Sequence, residues 1–150
     1  VRVIDPATGK SREPLPWRGE RPRNMAVAPD GTAVAVATGP NVNANTTAIP
    51  GADCTVRVID PATGKELVRL TGHESTVIGV AYSRDGTRIA TTGLDRTVRV
   101  WDAKTGKEVA VFRGHTGAGQ GVAFLPDGRT VLSAAFDGTV RSWRLPGPPR

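Results

Sequence analysis

Short stretches in which apolar and polar residues alternate recur along the chain, and turn-forming residues separate them. In residues 97–101 two valines alternate with polar residues, which is the period-two pattern of a half-buried β-strand. This stretch follows an apolar run at 77–83, an Arg-Asp-Gly turn signal at 84–86 and a further run at 88–92. Residues 108–112 come next and place their valines on one face. The pattern therefore predicts four short strands joined by tight turns.

One phrase is repeated along the chain almost unchanged. Residues 56–65 copy residues 1–10 letter for letter, and residues 98–107 copy them with three changes. Such a repeat is the signature of an architecture built from stacked units. The first two copies lie further apart than the second and third, so one copy carries an insertion. Residues 39–52 hold this excess and are predicted to form a flexible loop, because they are polar, nearly uncharged and bracketed by prolines.

Two further landmarks share a single spacing. The interval from Gly72-His73 to Gly114-His115 equals the interval from Trp101 to Trp143, and we call this interval one period. Together with the Trp101-Asp102 pair and the Asp-Gly turns, these landmarks resemble the WD-repeat family. A lone Gly-His is weak evidence, but the ordered set repeated at a fixed period is strong. The resemblance extends over nearly the whole chain.

The resemblance implies an all-β fold of β-propeller blades, each a four-stranded antiparallel sheet. About three blades and a remnant are expected, as an open arc of a larger propeller, seven blades being the usual family number. The arginine bias and the near-identical copies favour a bacterial source, with this chain as the C-terminal part of the propeller. The expected divisions are 1–18 (end of a truncated blade), 19–70 (degenerate blade with an insertion at 39–52), 71–113 (best-formed blade), 114–145 (last blade, lacking its outer strand) and 146–150 (proline-rich tail).

In that family, a buried hydrogen-bonded set of His, Ser or Thr, Asp and Trp holds each blade together. Such a set is chemically sound, because a buried indole N–H needs an acceptor and an imidazole can link a hydroxyl to a carboxylate. The two histidines occupy equivalent places in different units, so the structural role is favoured over a catalytic or metal site. By position, the resemblance assigns these sets to His73, Thr91, Asp95 and Trp101, and to His115, Ser133, Asp137 and Trp143.

One repeat departs from the family pattern. Ile59 stands where tryptophan is expected, and Gly19-Glu20 stands about where Gly-His is expected. Asp53 keeps the position of the turn aspartate. Without the histidine and the tryptophan, a complete hydrogen-bonded set is not expected in this blade.

The resemblance also implies where partners bind. In the family, the contacting positions lie just before the turn aspartate and shortly after Gly-His. Phe136 is the most informative candidate, since an exposed phenylalanine at a rim is an effective binding anchor; the alternative is that it folds against the neighbouring turn. The candidate positions are Glu74, Thr76, Leu94, Thr116, Ala118 and Phe136. The leading function is thus a scaffold that binds other proteins or peptides.

Composition adds one alternative function. Twenty lysines and arginines against 14 acidic residues give a net charge of +6. A nucleic-acid-binding module is therefore the second hypothesis. The spread of the arginines favours solvated strand faces instead. The strand-like segments hold Arg57, Arg69, Arg88, Arg99 and Arg141.

The sequence nominates no catalytic chemistry. It shows no cysteine or histidine cluster with zinc spacing and no glycine-rich phosphate loop with its lysine. We therefore expect a non-catalytic protein without a metal or cofactor. The single cysteine, Cys54, cannot form an internal disulfide, no apolar run approaches a membrane span, and no leader pattern is visible, so a cytoplasmic location is expected. Prolines follow the last strand, so the isolated chain is expected to have open edges and to associate with itself.

Overall fold

Eleven β-strands form three antiparallel sheets in the part of this computed structural model that is described, namely residue 8, residues 21–40 and residues 53–146. No helix occurs among these residues. The first sheet comprises β1 (Arg21–Val27), β2 (Val34–Gly39), β3 (Val56–Ile59) and β4 (Glu66–Leu70). The second comprises β5 (Val77–Tyr82), β6 (Arg88–Gly93), β7 (Val98–Asp102) and β8 (Glu108–Phe112). The third comprises β9 (Gly119–Phe124), β10 (Thr130–Ala135) and β11 (Val140–Arg144).

Each sheet is a meander, because strands that follow one another in the chain also lie side by side. The predicted all-β fold of antiparallel propeller blades is confirmed, with four strands in the first two sheets and three in the described part of the third. Gly39, predicted as the first residue of the inserted loop, instead ends β2 and pairs with Arg21. The rest of that loop beyond Pro40 and nearly all of the predicted remnant at 1–18 lie outside the described residues. The limits of the divisions and the seven-bladed parent stay predictions.

The Asp-Gly turns explain why the first two strands of each sheet form a hairpin. Between β5 and β6, the carboxylate of Asp85 accepts hydrogen bonds from the Ser83 hydroxyl at 2.6 Å and from the Thr87 N–H at 3.1 Å. Gly86 has a φ of +72°, which glycine adopts without steric cost. The aspartate and the glycine together fix the turn and hence the register of the two strands.

The sheets stack face to face, and each contact joins two different faces. Small and β-branched residues of the first sheet, such as Ala35 and Val58, pack against Ile89 and Trp101 of the second sheet. These side chains are all nearly inaccessible to solvent. The second sheet in turn presents its own β-branched face to the tryptophan-bearing face of the third. The core therefore has the same kind of packing at both junctions, in which a face of small and β-branched residues contacts a face that carries a tryptophan.

The third sheet has one face that no described residue covers. Val98 of β7 is fully buried at the second junction, whereas Val140, which lies one period later at the equivalent position of β11, is 71 % exposed. Val140 pairs with Ala134 of β10 and shares its face. Among the described residues a sheet packs against the face that carries Val98 and none packs against the face that carries Val140, so the exposed face has the character of an unoccupied junction.

Candidate interaction face

Consecutive connections in a meander lie at opposite ends of the sheet. The connections between strands therefore form two groups, one at each end of the sheets. One group comprises the β4–β5 and β6–β7 connections, together with β8–β9 and β10–β11. These four loops contain every candidate partner-contacting residue, and we call their end of the sheets the loop face. The Asp-Gly turns lie at the opposite end.

His73 joins the two loops of the second sheet. Its Nδ1 lies 2.8 Å from an oxygen of Asp95, and its Nε2 lies 2.7 Å from the hydroxyl of Thr91. The indole N–H of Trp101 donates to the same hydroxyl at 2.8 Å. Thr91 and Trp101 are fully or almost fully buried. Four residues from the strands and loops of one sheet are thus held by one chain of hydrogen bonds.

The hydrogen bonds assign the proton on the imidazole. The Asp95 carboxylate can only accept, so His73 places its N–H at Nδ1. The Thr91 hydroxyl accepts from Trp101 and is also hydrogen-bonded to Nε2 of His73. Every polar group in the set then has a partner, and a fully paired buried network rigidifies the structure around it.

Asp95 also fixes the backbone of both loops. It accepts hydrogen bonds from the Glu74 N–H at 3.1 Å and from the N–H and hydroxyl of Thr97 at 3.0 and 2.9 Å. Burial by itself raises the pKa of Asp95, but the hydrogen bond and charge of His73, followed by the bonds from Thr97, lower it to about 2. The carboxylate is therefore ionised at neutral pH and acts as a permanent acceptor.

The third sheet repeats the arrangement, with Ser133 in place of Thr91. His115 lies 2.8 Å from Asp137 through Nδ1 and 2.7 Å from the Ser133 hydroxyl through Nε2. The Trp143 indole donates to Ser133 at 2.7 Å. The hydroxyl of Thr139 lowers the pKa of Asp137, and the bonds from His115 and two backbone N–H groups add to this effect. Both predicted sets are thus brought together, although Trp143 is only half-buried.

The glycine of each Gly-His pair is required by the tryptophan. Gly72 has a φ of +152°, and a Cβ built on it would lie 3.1 Å from the ring of Trp101 and 2.9 Å from the guanidinium of Arg99. Gly114 has nearly the same φ and the same close approach to Trp143. A side chain here would push the indole away from its hydroxyl partner.

The candidate contact residues differ in exposure. Glu74 and Thr116 are exposed at the loop face, whereas Leu94 and Ala118 are half-buried. Phe136 is 69 % exposed, so most of its ring does not fold against the neighbouring turn. Its backbone N–H donates to the Ala118 carbonyl at 2.9 Å. This bond ties the two loops of the third sheet together beneath an exposed aromatic ring.

Thr76 was predicted to contact partners, and this is wrong. Its side chain is fully buried, because it packs against Gly39 at the end of β2. Its carbonyl accepts the Leu94 N–H at 2.9 Å, in the same way that Ala118 accepts from Phe136. Thr76 therefore packs between the first and second sheets, and its side chain is not accessible to a partner.

The described part of the first sheet lacks the threonine and the tryptophan of the polar set, as its sequence predicted, while Gly19-Glu20 lies outside the described residues. Val36 stands at the position of Thr91 and Ile59 at that of Trp101, and both are buried in an apolar cluster. Asp53 instead pairs with Arg57 at 3.1 Å and with Arg69 at 3.4 Å. Ion pairs at the edge of the sheet thus replace the buried hydrogen-bonded set.

Four of the five arginines singled out in the strands bond within their own sheets. Arg57 and Arg99 are almost completely buried, and Arg99 pairs with Glu108 at 2.7 Å. Arg69 pairs with Glu66 at 2.9 Å, and Arg141 donates to the Thr139 hydroxyl at 3.3 Å. These four guanidinium groups are engaged within the blades, which disfavours a phosphate-binding stripe built from them.

Sequence reasoning missed Thr97 and Thr139. Each donates its hydroxyl to the aspartate of its set and lies 3.4 Å from Nδ1 of the histidine. The signal was present, since the two threonines lie one period apart.

The described residues hold no group of three or more His, Cys, Asp or Glu side chains that could bind a metal ion. They also contain no helix with the length and apolarity needed to cross a membrane.

The family comparison agrees with this geometry. A family model described as WD domain, G-beta repeat matches residues 64–102 and 106–144, which make up just over half of the chain. The chain belongs to the WD-repeat family. Each matched WD segment runs from the loop before an outer strand, through Gly-His, to the third strand of the next sheet. The matched residues begin after β3, the strand in which Ile59 replaces the tryptophan. No curated protein matches the chain at a significant level.

Proposed function

We propose that this WD-repeat chain is a non-catalytic scaffold that binds other proteins through its loop face. WD repeats generally mediate protein–protein interaction, and the matched repeats contribute all the loops in question. The observation that supports the proposal best is Phe136, which is 69 % exposed on a loop anchored at both ends. Exposed aromatic residues on rigid supports are typical binding hot spots.

The rigid support comes from the polar set of the third sheet. Asp137 accepts the Thr116 N–H at 3.0 Å and the Thr139 N–H at 3.0 Å, so the loops on both sides of Phe136 share one acceptor. A loop that is ordered before binding loses less conformational entropy on binding. The set thus contributes to affinity without touching the partner.

A matched pair of variants tests the proposal. Phe136→Ser removes the exposed ring, and Leu125→Ser removes an apolar side chain that is 37 % exposed at the opposite end of the same sheet. Immobilised wild-type and variant chains are used to capture proteins from a lysate of the source organism. We expect proteins that the wild type and Leu125→Ser retain and that Phe136→Ser loses. Identical capture by all three chains would contradict the loop-face proposal.

We also infer that the isolated chain associates with itself through the third sheet. The uncovered face around Val140 has the same character as the face of the second sheet that is buried in a junction, and β11 pairs only with β10 in the described part of the chain. Exposed apolar sheet faces and open strand edges favour association. Nucleic-acid binding is the weaker alternative, because four of the five strand arginines considered for it bond within their sheets. The cytoplasmic location stays a prediction.

A further inference from the structure

A groove lies between the first and second sheets at the end opposite the loop face. It has a volume of about 630 Å³, within the range of ligand-binding clefts. Its rim contains three carboxylates and one ammonium group, from Asp30, Asp85, Asp102 and Lys104. Its apolar lining comes from both sheets and includes Ala28, Ala33, Val58, Val68, Tyr82 and Ala103.

The groove is open because position 103 is alanine. In the equivalent position of the third sheet, one period later, stands Leu145. The backbone places the two residues identically, since the Ala103 N–H donates to the Thr87 carbonyl at 2.9 Å and the Leu145 N–H donates to the Arg129 carbonyl at 2.9 Å. The equivalent position therefore places a methyl group at the first junction and an isobutyl group at the second.

The leucine fills the second junction. Leu145 is 4 % exposed and belongs to the apolar cluster that contains Val100 and Val131, with Ala110 and Phe124 packed against it. The residues that correspond to Ala110 and Phe124 at the first junction are Val68 and Tyr82, and both line the groove. The first junction thus keeps the walls of this packing site but lacks the side chain that occupies it.

The two junctions also differ in charge. At the third sheet, Arg144 stands where the second sheet has Asp102, and Arg129 stands where it has Thr87. The rim of the groove is acidic in a chain whose net charge is +6. The Thr32 N–H and hydroxyl lower the pKa of Asp30, so this carboxylate is ionised at neutral pH.

The other two carboxylates of the rim are ionised for the same reason. The hydroxyl of Ser83 and the N–H of Thr87 lower the pKa of Asp85. The N–H and hydroxyl of Thr105 lower the pKa of Asp102. Burial, followed by the charge of Asp30, raises the pKa of Tyr82 to about 12, so the tyrosine stays neutral beside the rim. The groove therefore combines an apolar floor with a fixed negative edge.

We propose that this groove binds a basic segment of a partner protein, with an apolar side chain on the floor and an adjacent Lys or Arg against the carboxylates. Leu145 shows within the same molecule which kind of side chain such a junction accepts. The excess of acidic groups at the rim selects the charge of the neighbouring residue. The groove and the loop face lie at opposite ends of the sheets, so either site can fail without the other.

The test uses labelled heptapeptides Gly-Ser-X-Arg-Lys-Ser-Gly, in which X is Leu, Phe or Met, titrated with the chain by fluorescence polarisation. We expect at least one of them to bind at least tenfold more tightly than the peptide with Ser at X and the peptide with Glu-Glu in place of Arg-Lys. If none of the three binds more tightly than these controls, the proposal is overturned.

Substitutions in the chain then locate the binding. Ala103→Leu copies Leu145 and should fill the groove, which weakens binding at least tenfold while thermal stability is kept or raised. Asp85→Asn keeps the acceptor oxygen of the turn and should weaken binding about threefold, as expected for one exposed charge pair. Asp127→Asn, in the equivalent turn of the third sheet, should leave binding unchanged.

Two results with these variants would overturn the proposal. Wild-type affinity in a folded Ala103→Leu chain would show that the peptide binds elsewhere. Equal losses in Asp85→Asn and Asp127→Asn would show a general charge effect. The Asp85 and Asp127 pair remains decisive if Ala103→Leu does not fold.

Discussion

Replacing Thr91 by valine removes one hydroxyl from the centre of the second sheet and leaves its volume unchanged. The hydroxyl of Thr91 accepts from Trp101 Nε1 at 2.8 Å and is hydrogen-bonded to His73 Nε2 at 2.7 Å. Thr91 is fully buried and Trp101 is 1 % exposed, so water cannot replace either bond. The variant therefore leaves two buried polar groups without partners, namely the indole N–H of Trp101 and Nε2 of His73.

The expected loss follows from these two groups. An unpaired buried polar group costs about 1–3 kcal/mol, so the loss of both bonds should lower the free energy of unfolding by about 2–6 kcal/mol in Thr91→Val. Thr91→Ser keeps the hydroxyl, as Ser133 does in the third sheet, and should cost about 1 kcal/mol through the lost methyl group. Ser133→Ala should cost about 1–2 kcal/mol, because Trp143 is half-buried and its N–H is nearer to solvent.

Urea denaturation followed by tryptophan fluorescence, at one fixed protein concentration, measures these differences. The order of destabilisation should be Thr91→Val first, then Ser133→Ala, with Thr91→Ser the mildest. A loss below about 1 kcal/mol for Thr91→Val would mean that the hydroxyl does not connect His73 and Trp101. The hydrogen-bonded set would then have no structural role.

Three further predictions concern stability and association. Trp101→Ala should lower the free energy of unfolding by about 3–5 kcal/mol, and a loss below about 1 kcal/mol in a chemical melt would contradict its burial. Because folding lowers the pKa of Asp95 to about 2, its stabilisation of about 2 kcal/mol is present above about pH 4 and is lost as the pH falls toward 2. Urea melts across this range should show a shallower pH dependence for Asp95→Asn. In sedimentation at several concentrations, the wild-type chain should associate and Val140→Lys should do so less; a monomeric wild type would refute self-association.

The resemblance to the WD-repeat family assigned the polar sets, and the fixed period extended that assignment from one sheet to the next. The fixed period places His73 and His115 in equivalent environments, so one assignment serves both sheets. The same period would have revealed Thr97 and Thr139, which complete the sets. Hydrogen bonds of this kind can be predicted from the sequence because each joins residues of one repeat.

Contacts between repeats were harder to predict. Thr76 lies in a loop and resembles a surface residue, yet it is buried by Gly39 of the preceding sheet. The groove depends on a difference in volume between Ala103 and Leu145, and nothing local to either residue shows what packs against it. Burial at a junction depends on two sheets at once, so it could be seen only when both were placed.

Site-specific photo-cross-linking tests the central claim most directly, namely that the loop face is where this WD-repeat chain binds other proteins. A photo-reactive phenylalanine analogue replaces Phe136 in one chain and Leu125, at the opposite end of the third sheet, in another. Both chains are irradiated in a lysate of the source organism, and the adducts are identified by mass spectrometry. We expect discrete adducts with other proteins from position 136 and few from position 125. Adducts of equal yield from both positions, or none from position 136, would contradict the claim.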